Sequence, residues 1–382
     1  MKIFKGLKKV AVGTVAGVTA LSLVACANDT ETATASNVTK ISLYSTGSQN
    51  VEAFWEKVIP MFEEEHKEID VELVFVPSGT GGQSTMDRIV AAEKSGEDSE
   101  VDIYEGSLAD IIRSEEEGGL FYSLDKENIP NLENVQEDNL NGTNKLAIPY
   151  RASSVVLAYN SETVSDVPDT ADEMYQWIKD KPGRFAYNDP STGGSGSSFV
   201  LTTVYNQLPA DAMNSQDESI MEDWDKGFDI LKDLAPSLYK EGVYPKKNQG
   251  TLDLLANGEV DMIPAWSDMA LEQMNKGLLP DTIKLKQIDP AFTGGPAYLM
   301  SVDNGDKDRK EAAEDFLDYV LTVDVQEVVI DQMYGYPGIK WELLSEEDQE
   351  RFKDVSGGYR IFNGGELGSK LTEEWQKEVA TQ

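Results

Sequence analysis

Trp266, Ser267 and Asp268 place an indole, a hydroxyl and a carboxylate where a short apolar run gives way to a helix-like stretch. An aromatic face at such a point can stack on a ligand ring or hold a cation, worth about 0.5–2 kcal/mol. Asp268 can pair with a cationic group, although Ser and Asp are also the residues that cap helices. Tyr104, Glu105, Tyr150 and Tyr187 occupy comparable strand ends, where they either meet a ligand or pack into core and rim. Arg151 is the base in the extended stretch 146–151, suited to clamp a carboxylate or phosphate with its planar fork or to form a hinge ion pair. Two glycine-rich loops, 78–84 and 191–197, precede helical patterns. Ser78, Gly79 and Thr80 in the first, and Ser191, Thr192 and Ser195 in the second, offer hydroxyls beside backbone N–H groups that the helix dipole makes receptive to anions. The same loops serve equally well to turn the chain and cap helices. Ser45 opens a third such turn.

Several chemistries lack their residues. Neither loop ends in the Gly-Lys-Ser/Thr of a phosphate-binding loop, and neither holds a complete Gly-x-Ser-x-Gly. One histidine and one cysteine exclude an internal disulfide and leave too few soft ligands for a zinc centre. His66 lies among glutamates and reads as a solvated helix end. The acidic run 303–308 has the composition of a calcium loop without its glycine and distal glutamate spacing, so it reads as a solvated turn. No metal and no cofactor is expected. The 382 residues include 33 basic and 69 acidic side chains, a formal net charge of −36 and a pI near 4.2. Such a surface repels phosphate backbones, which argues against nucleic-acid binding. It also makes any single carboxylate weak evidence for catalysis.

The length suits two globular lobes, and 40% hydrophobic content is enough for large cores. From residue 40 the chain alternates short apolar strands with amphipathic helices, the pattern of an α/β fold on mainly parallel sheet. Strands are expected at 40–44, 71–76 and 101–104, with helices at 51–65 and 85–94. A second series places strands at 184–187 and 260–264, a loop at 188–197 and a helix at 198–207. The extended segments 148–153 and 294–297 read as crossings between lobes. Ligands of open α/β sheets sit beyond the carboxyl ends of the strands. The loops at 45–48, 78–82, 104–107, 188–197 and 266–268 should therefore face one cleft.

Lys2, Lys5, Lys8 and Lys9 precede an uncharged apolar run, 10–24, in the manner of an export signal. At about 15 residues it is too short for a stable membrane-spanning helix, which needs about 20. It ends in Leu23-Val24-Ala25-Cys26, which resembles a bacterial lipobox. That resemblance implies removal of residues 1–25, lipidation of Cys26 and a membrane-anchored chain whose polar stretch 26–38 is a flexible tether.

The body resembles the extracellular solute-binding proteins of bacterial ABC importers. The resemblance rests on the helix ending Phe62-Glu63-Glu64-Glu65-His66, on Val101-Asp102-Ile103-Tyr104, on Ile148-Pro149-Tyr150 with Leu157-Ala158-Tyr159-Asn160, on 255–261 and on 312–321. Within the family it is similar to receptors for polyamines, thiamine, ferric iron and phosphonates, and to uncharacterised relatives. Tyr334-Gly335-Tyr336 departs from the adjacent tyrosine pair of the ferric-iron receptors. The resemblance implies a two-lobed periplasmic-binding-protein-like fold (type II), each lobe a mainly parallel sheet flanked by helices, with a ligand cleft between. Lobe 1 is expected to comprise 39–150 with about 294–335, and lobe 2 to comprise 151–293, followed by a C-terminal helical segment, 336–382. It further implies a non-enzymatic monomer that closes on a small polar charged solute and delivers it to the permease subunits of the importer. A secreted carboxylate-dependent hydrolase and a surface adhesin are the competing readings. No carboxylate pair stands out for the first, and no repeat or interaction module for the second.

Overall fold

The computed structural model describes residues 38–47, 49–77, 85–352 and 358–380. The expected signal peptide, Cys26, most of the expected tether and the loop carrying Ser78, Gly79 and Thr80 lie outside the described residues. The strands are β1 (Thr39–Gly47), β2 (Ile69–Pro77), β3 (Ile103–Gly106), β4 (Ile148–Asn160), β5 (Met262–Trp266), β6 (Ile283–Lys286), β7 (Gly294–Ser301) and β8 (Tyr336–Pro337). The helices are α1 (Gln49–Glu65), α2 (Thr85–Ser95), α3 (Leu108–Glu116), α4 (Ala171–Asp180), α5 (Gly194–Tyr205), α6 (Asp225–Leu234), α7 (Lys247–Ala256), α8 (Ser267–Asn275), α9 (Lys307–Val320), α10 (Val323–Val328), α11 (Glu346–Phe352) and α12 (Leu367–Glu378).

The hydrophobic pattern builds two main cores. In α1, Phe54, Trp55, Val58, Ile59 and Phe62 recur at helical spacing and bury one face against the sheet. Ile41 and Leu43 of β1, Ile103 of β3, Ile148, Tyr150 and Ala152 of β4, and Phe316 of α9 complete this first core. The second gathers Val155 and Leu157, further along the same β4, with Phe185, Tyr187, Phe199, Phe228 and Trp375. β4 therefore runs from one core into the other. The stretch from Phe292 in the second core to Leu299 of β7 in the first makes the return crossing.

β1 pairs in parallel with β2 and β3, while β7 runs antiparallel to both β3 and β4. β5 and β6 also pair antiparallel with β4, and β8 does so on its first-core part. The sheets are thus mixed, and the parallel strands expected of both lobes are concentrated in the first. The expected strand 184–187 is reduced to one parallel bridge between Phe185 and Met262.

The C-terminal segment 336–382 is shared between the cores. Tyr336, Ile339, Leu344 and Phe352 belong to the first, whereas Leu367, Leu371 and Trp375 belong to the second. Residues 358–363 join them as a third crossing: Tyr359 packs on the first core, Arg360 bridges to Thr293, and Phe362 packs on the second. Amphipathic periodicity reveals that α12 has a buried face but not which core receives it.

Candidate functional site

Between the cores lies a cavity of about 820 Å³. Its wall combines the ends of β1, β3 and β5, the first turns of α3, α5, α7 and α8, and residues 295–297 of β7. Tyr104, Glu105, Arg151, Ser191, Thr192, Trp266 and Asp268 all border it, so fold logic brought seven expected residues to one place.

The others stand elsewhere. Alternation along β1 that buries Ile41 and Leu43 also buries Ser45, whose Oγ accepts from Trp55 Nε1 at 2.8 Å and donates to Glu105 Oε2. Tyr150 is fully buried among Phe54 and Trp55, with only its hydroxyl directed at the site floor. Tyr187 is buried in the second core, stacked on Phe199 at 4.5 Å, and accepts from Trp375 Nε1 at 3.0 Å. Ser195 is buried at the first turn of α5, donating to Asn188 Oδ1 at 2.7 Å and Asn248 Oδ1 at 3.0 Å. For Ser45, Tyr150, Tyr187 and Ser195, packing is the observed role. Tyr334 and Tyr336 are buried too, and neither borders this cavity.

Glu105 is the hub beneath the cavity, only 4% exposed. It accepts from Tyr150 OH at 2.7 Å, from Arg151 Nη2 at 3.2 Å, from Thr46 N–H at 3.3 Å and from Ser45. Arg151 Nε also donates to Tyr150 OH at 2.7 Å. A buried carboxylate this well satisfied is costly to disrupt, since removing either partner strands a charge away from water. Desolvation opposes the charge on Arg151, but Tyr150, Glu105 and Asp268 outweigh it and hold its pKa above the ordinary guanidinium value. Arg151 therefore forms a buried ion pair with Glu105 and also borders the cavity.

Asp268 accepts from Ser153 Oγ at 2.8 Å and sits at the start of α8, near the backbone N–H groups of its own turn. Burial pushes its pKa up; Arg151 and these hydrogen bonds offset only part of that. On the first-core side, burial and neighbouring Asp110 push Tyr104 well above the ordinary phenol value. Asp110 accepts from Ser107 N–H and Ser107 Oγ, both at 2.8 Å.

The helix starts are mostly satisfied from within. Ser195 N–H donates to Asn248 Oδ1 at 3.1 Å, Gly196 N–H to Asn188 Oδ1 at 2.8 Å, and Lys247 N–H to Thr192 Oγ1 at 2.9 Å. The anion trap expected of loop 191–197 is thereby largely occupied by side-chain caps. Sequence reading missed Asp110, Ser153, Lys247, Asn248 and Gln249 on this wall. Lys247 and Asn248 open α7 without a sequence signature of a helix start. Asp110 carried one, standing three residues after Ser107 in the spacing of a capping box.

His66 stacks on Phe62 at a ring separation of 4.4 Å beside Glu68, at the half-exposed end of α1. Asp306 caps α9, accepting from Asp308 N–H at 3.0 Å and Arg309 N–H at 3.1 Å. Among the described residues no group of three His, Cys, Asp or Glu side chains is placed to hold a metal. Among them, too, no helix is long and apolar enough to cross a membrane.

The body is thus a two-cored α/β fold with a cavity of mixed polar and apolar lining at its strand and helix ends. Residues 57 to 348 match the family described as bacterial extracellular solute-binding protein, and the chain belongs to that family. A search of curated protein sequences finds no match. Among solved structures, an extracellular solute-binding protein of Bordetella parapertussis is similar at 17% identity, with a TM-score of 0.67 over 89% of this chain and 98% of that one. The spermidine/putrescine ABC transporter substrate-binding protein of Streptococcus pneumoniae follows at 16% identity and 0.64, over 89% and 99%. A maltose-bound MalE3 protein of T. maritima gives 16% identity and 0.66, over 89% and 95%. At these identities the likeness is one of fold.

Proposed function

We propose that the chain is the solute-capturing component of an ABC importer and that its solute is a small polar compound with a cationic group. The carrying observation is the cavity's charge arrangement. Asp110, Asp268 and Glu105 outnumber Arg151 and Lys247 around Trp266 and Tyr104, while the helix N–H groups of Ser195, Gly196 and Lys247, which would attract an anion, are already capped. A cation gains from the indole face and from Asp268, whose burial makes its uncompensated charge costly. Arg151 and Lys247 remain to meet an anionic group on the same solute, which favours a zwitterion. The polyamine-binding neighbour supports the cationic end of this reading, and the maltose-bound neighbour shows that the fold also serves neutral solutes.

Capture proceeds by closure of the two lobes about the crossings at 148–153 and 294–297, with 358–363 as the third segment to bend. The solute contributes its differential affinity for the closed state. The lipobox and tether hold the receptor to the outer membrane face by Cys26, as a monomer, within reach of the permease. Mass spectrometry of solute retained through native purification identifies the ligand. Small-angle scattering then tests capture: added solute is expected to reduce the radius of gyration. A retained solute without cationic character refutes the charge reading, and an unchanged radius at saturation refutes closure.

A further inference from the structure

A second cavity, of about 630 Å³, shares no lining residue with the first. It lies on the other face of β4: Ala152 lines it, whereas its strand neighbours Arg151 and Ser153 line the solute cavity. Both cores contribute, through Tyr336, Trp341 and Tyr359 on one side and Met213 on the other, with Asn214 and Asn363 beside it.

Its singular residue is Arg360. Arg88, Arg113, Arg151, Arg184, Arg309 and Arg351 each pair with a carboxylate within 4 Å. Arg360 is the seventh arginine of the sequence, and among the described residues it has no such partner. In a chain with 69 acidic residues that omission is unlike the treatment of every other guanidinium. The side chain is also held in place. Its backbone N–H donates to Phe292 O at 3.1 Å and its Nε to Ala291 O at 2.6 Å, while Nη2 is buried with no hydrogen-bond partner. A desolvated, unpaired guanidinium costs stability, which burial registers by pushing its pKa down.

The rest of the wall suits hydroxyl groups. Gln136, Asn141, Asn214 and Asn363 present side-chain amides that make no hydrogen bond within the described protein, and Asp138 adds an acceptor. Tyr359 and Trp341, both part-exposed and braced by the buried Tyr336 at 6.3 Å and 6.2 Å, supply apolar surface against which sugar C–H groups can pack. Amides, aromatics and one unpaired guanidinium form the complement of a ring bearing hydroxyls and a carboxylate.

We propose that this groove is a second ligand site, separate from the solute cavity, for a sugar acid whose carboxylate pairs with Arg360.

The probe is digalacturonate, titrated calorimetrically into the full-length chain, with maltose as the neutral comparison. Saturable binding of digalacturonate is expected, weaker for maltose. Arg360→Gln should weaken digalacturonate about tenfold or more, the scale for losing a hydrogen bond to a charged group. Asn214→Asp, on an exposed position that leaves folding undisturbed, should weaken it by placing a like charge at the groove mouth. Trp266→Ala should leave it unchanged. Absence of saturable binding up to about 10 mM overturns the proposal. So does wild-type affinity in Asn214→Asp and Arg360→Gln. Loss of probe binding in Trp266→Ala would place the probe in the solute cavity, which overturns the groove site and counts against a cationic solute, while solute capture itself stands.

Discussion

Gly194 is the position where one added methyl should separate binding from folding. It stands at the first residue of α5, on the cavity wall, and a Cβ built there would meet the Trp266 indole at 2.9 Å from Nε1, 3.0 Å from Cζ2 and 3.2 Å from Cε2. The obstacle is a side chain at the rim and not backbone, so Gly194→Ala is accommodated by swinging the indole away. Replacing glycine by alanine inside a helix favours it by up to about 1 kcal/mol, and less at a first position. Displacing the indole from a cation forfeits a share of about 0.5–2 kcal/mol, equivalent to roughly 2- to 30-fold in affinity. Gly194→Ala is thus expected to melt within a few degrees of wild type while binding its solute several-fold more weakly. Gly196→Ala is the contrast, because its Cβ would lie 1.9 Å from the Asn188 carbonyl oxygen, a backbone atom that cannot yield. It should unfold the protein at a markedly lower temperature. Calorimetry with the natively retained solute, paired with thermal melts, reads both effects. Unchanged affinity in Gly194→Ala, with its melting temperature preserved, would refute the placing of Trp266 against the solute.

Trp266→Ala should weaken solute binding by about 1–3 kcal/mol, whereas Trp55→Ala should cost about 3–5 kcal/mol of stability with little change in affinity, since Trp55 is fully buried beneath Ser45. Calorimetry and denaturant melts separate the two, and equal affinity loss in both variants counts against the site. Asp268 has a pKa raised by burial above its unfolded value, so its neutral form stabilises the fold below that unfolded value and the benefit is lost as pH rises through the folded one. Melting temperatures of Asp268→Asn relative to wild type should therefore rise as pH is raised from about 4 toward neutrality, and a pH-independent difference would contradict the burial argument. Cys26→Ser should release the protein from the membrane fraction into the medium, where immunoblotting finds it; retention at wild-type level would exclude the lipid anchor.

What the sequence determined by itself is what depends on local pattern. Period and punctuation located α1, the first three strands, the crossing at 148–153 and the helix start at Trp266, because buried faces recur at 3.6 or 2 residues whatever lies opposite. The strand-end rule then gathered Tyr104, Thr192, Trp266 and Asp268 on one cavity wall, because loops at the same end of a sheet must meet, while Arg151 entered from the extended stretch 146–151. Only the tertiary structure decided which of two faces each strand-end residue takes. Ser45 and Tyr150 share their sequence addresses with cavity residues, yet strand alternation turns Ser45 inward and packing on Phe54 and Trp55 buries the Tyr150 ring. It decided that the N–H groups of loop 191–197 are capped by Asn188 and Asn248, the latter more than fifty residues away. It also divided the C-terminal segment between two cores and left Arg360 without a carboxylate partner among the described residues. These outcomes depend on contacts between segments distant in the chain, which no local period encodes.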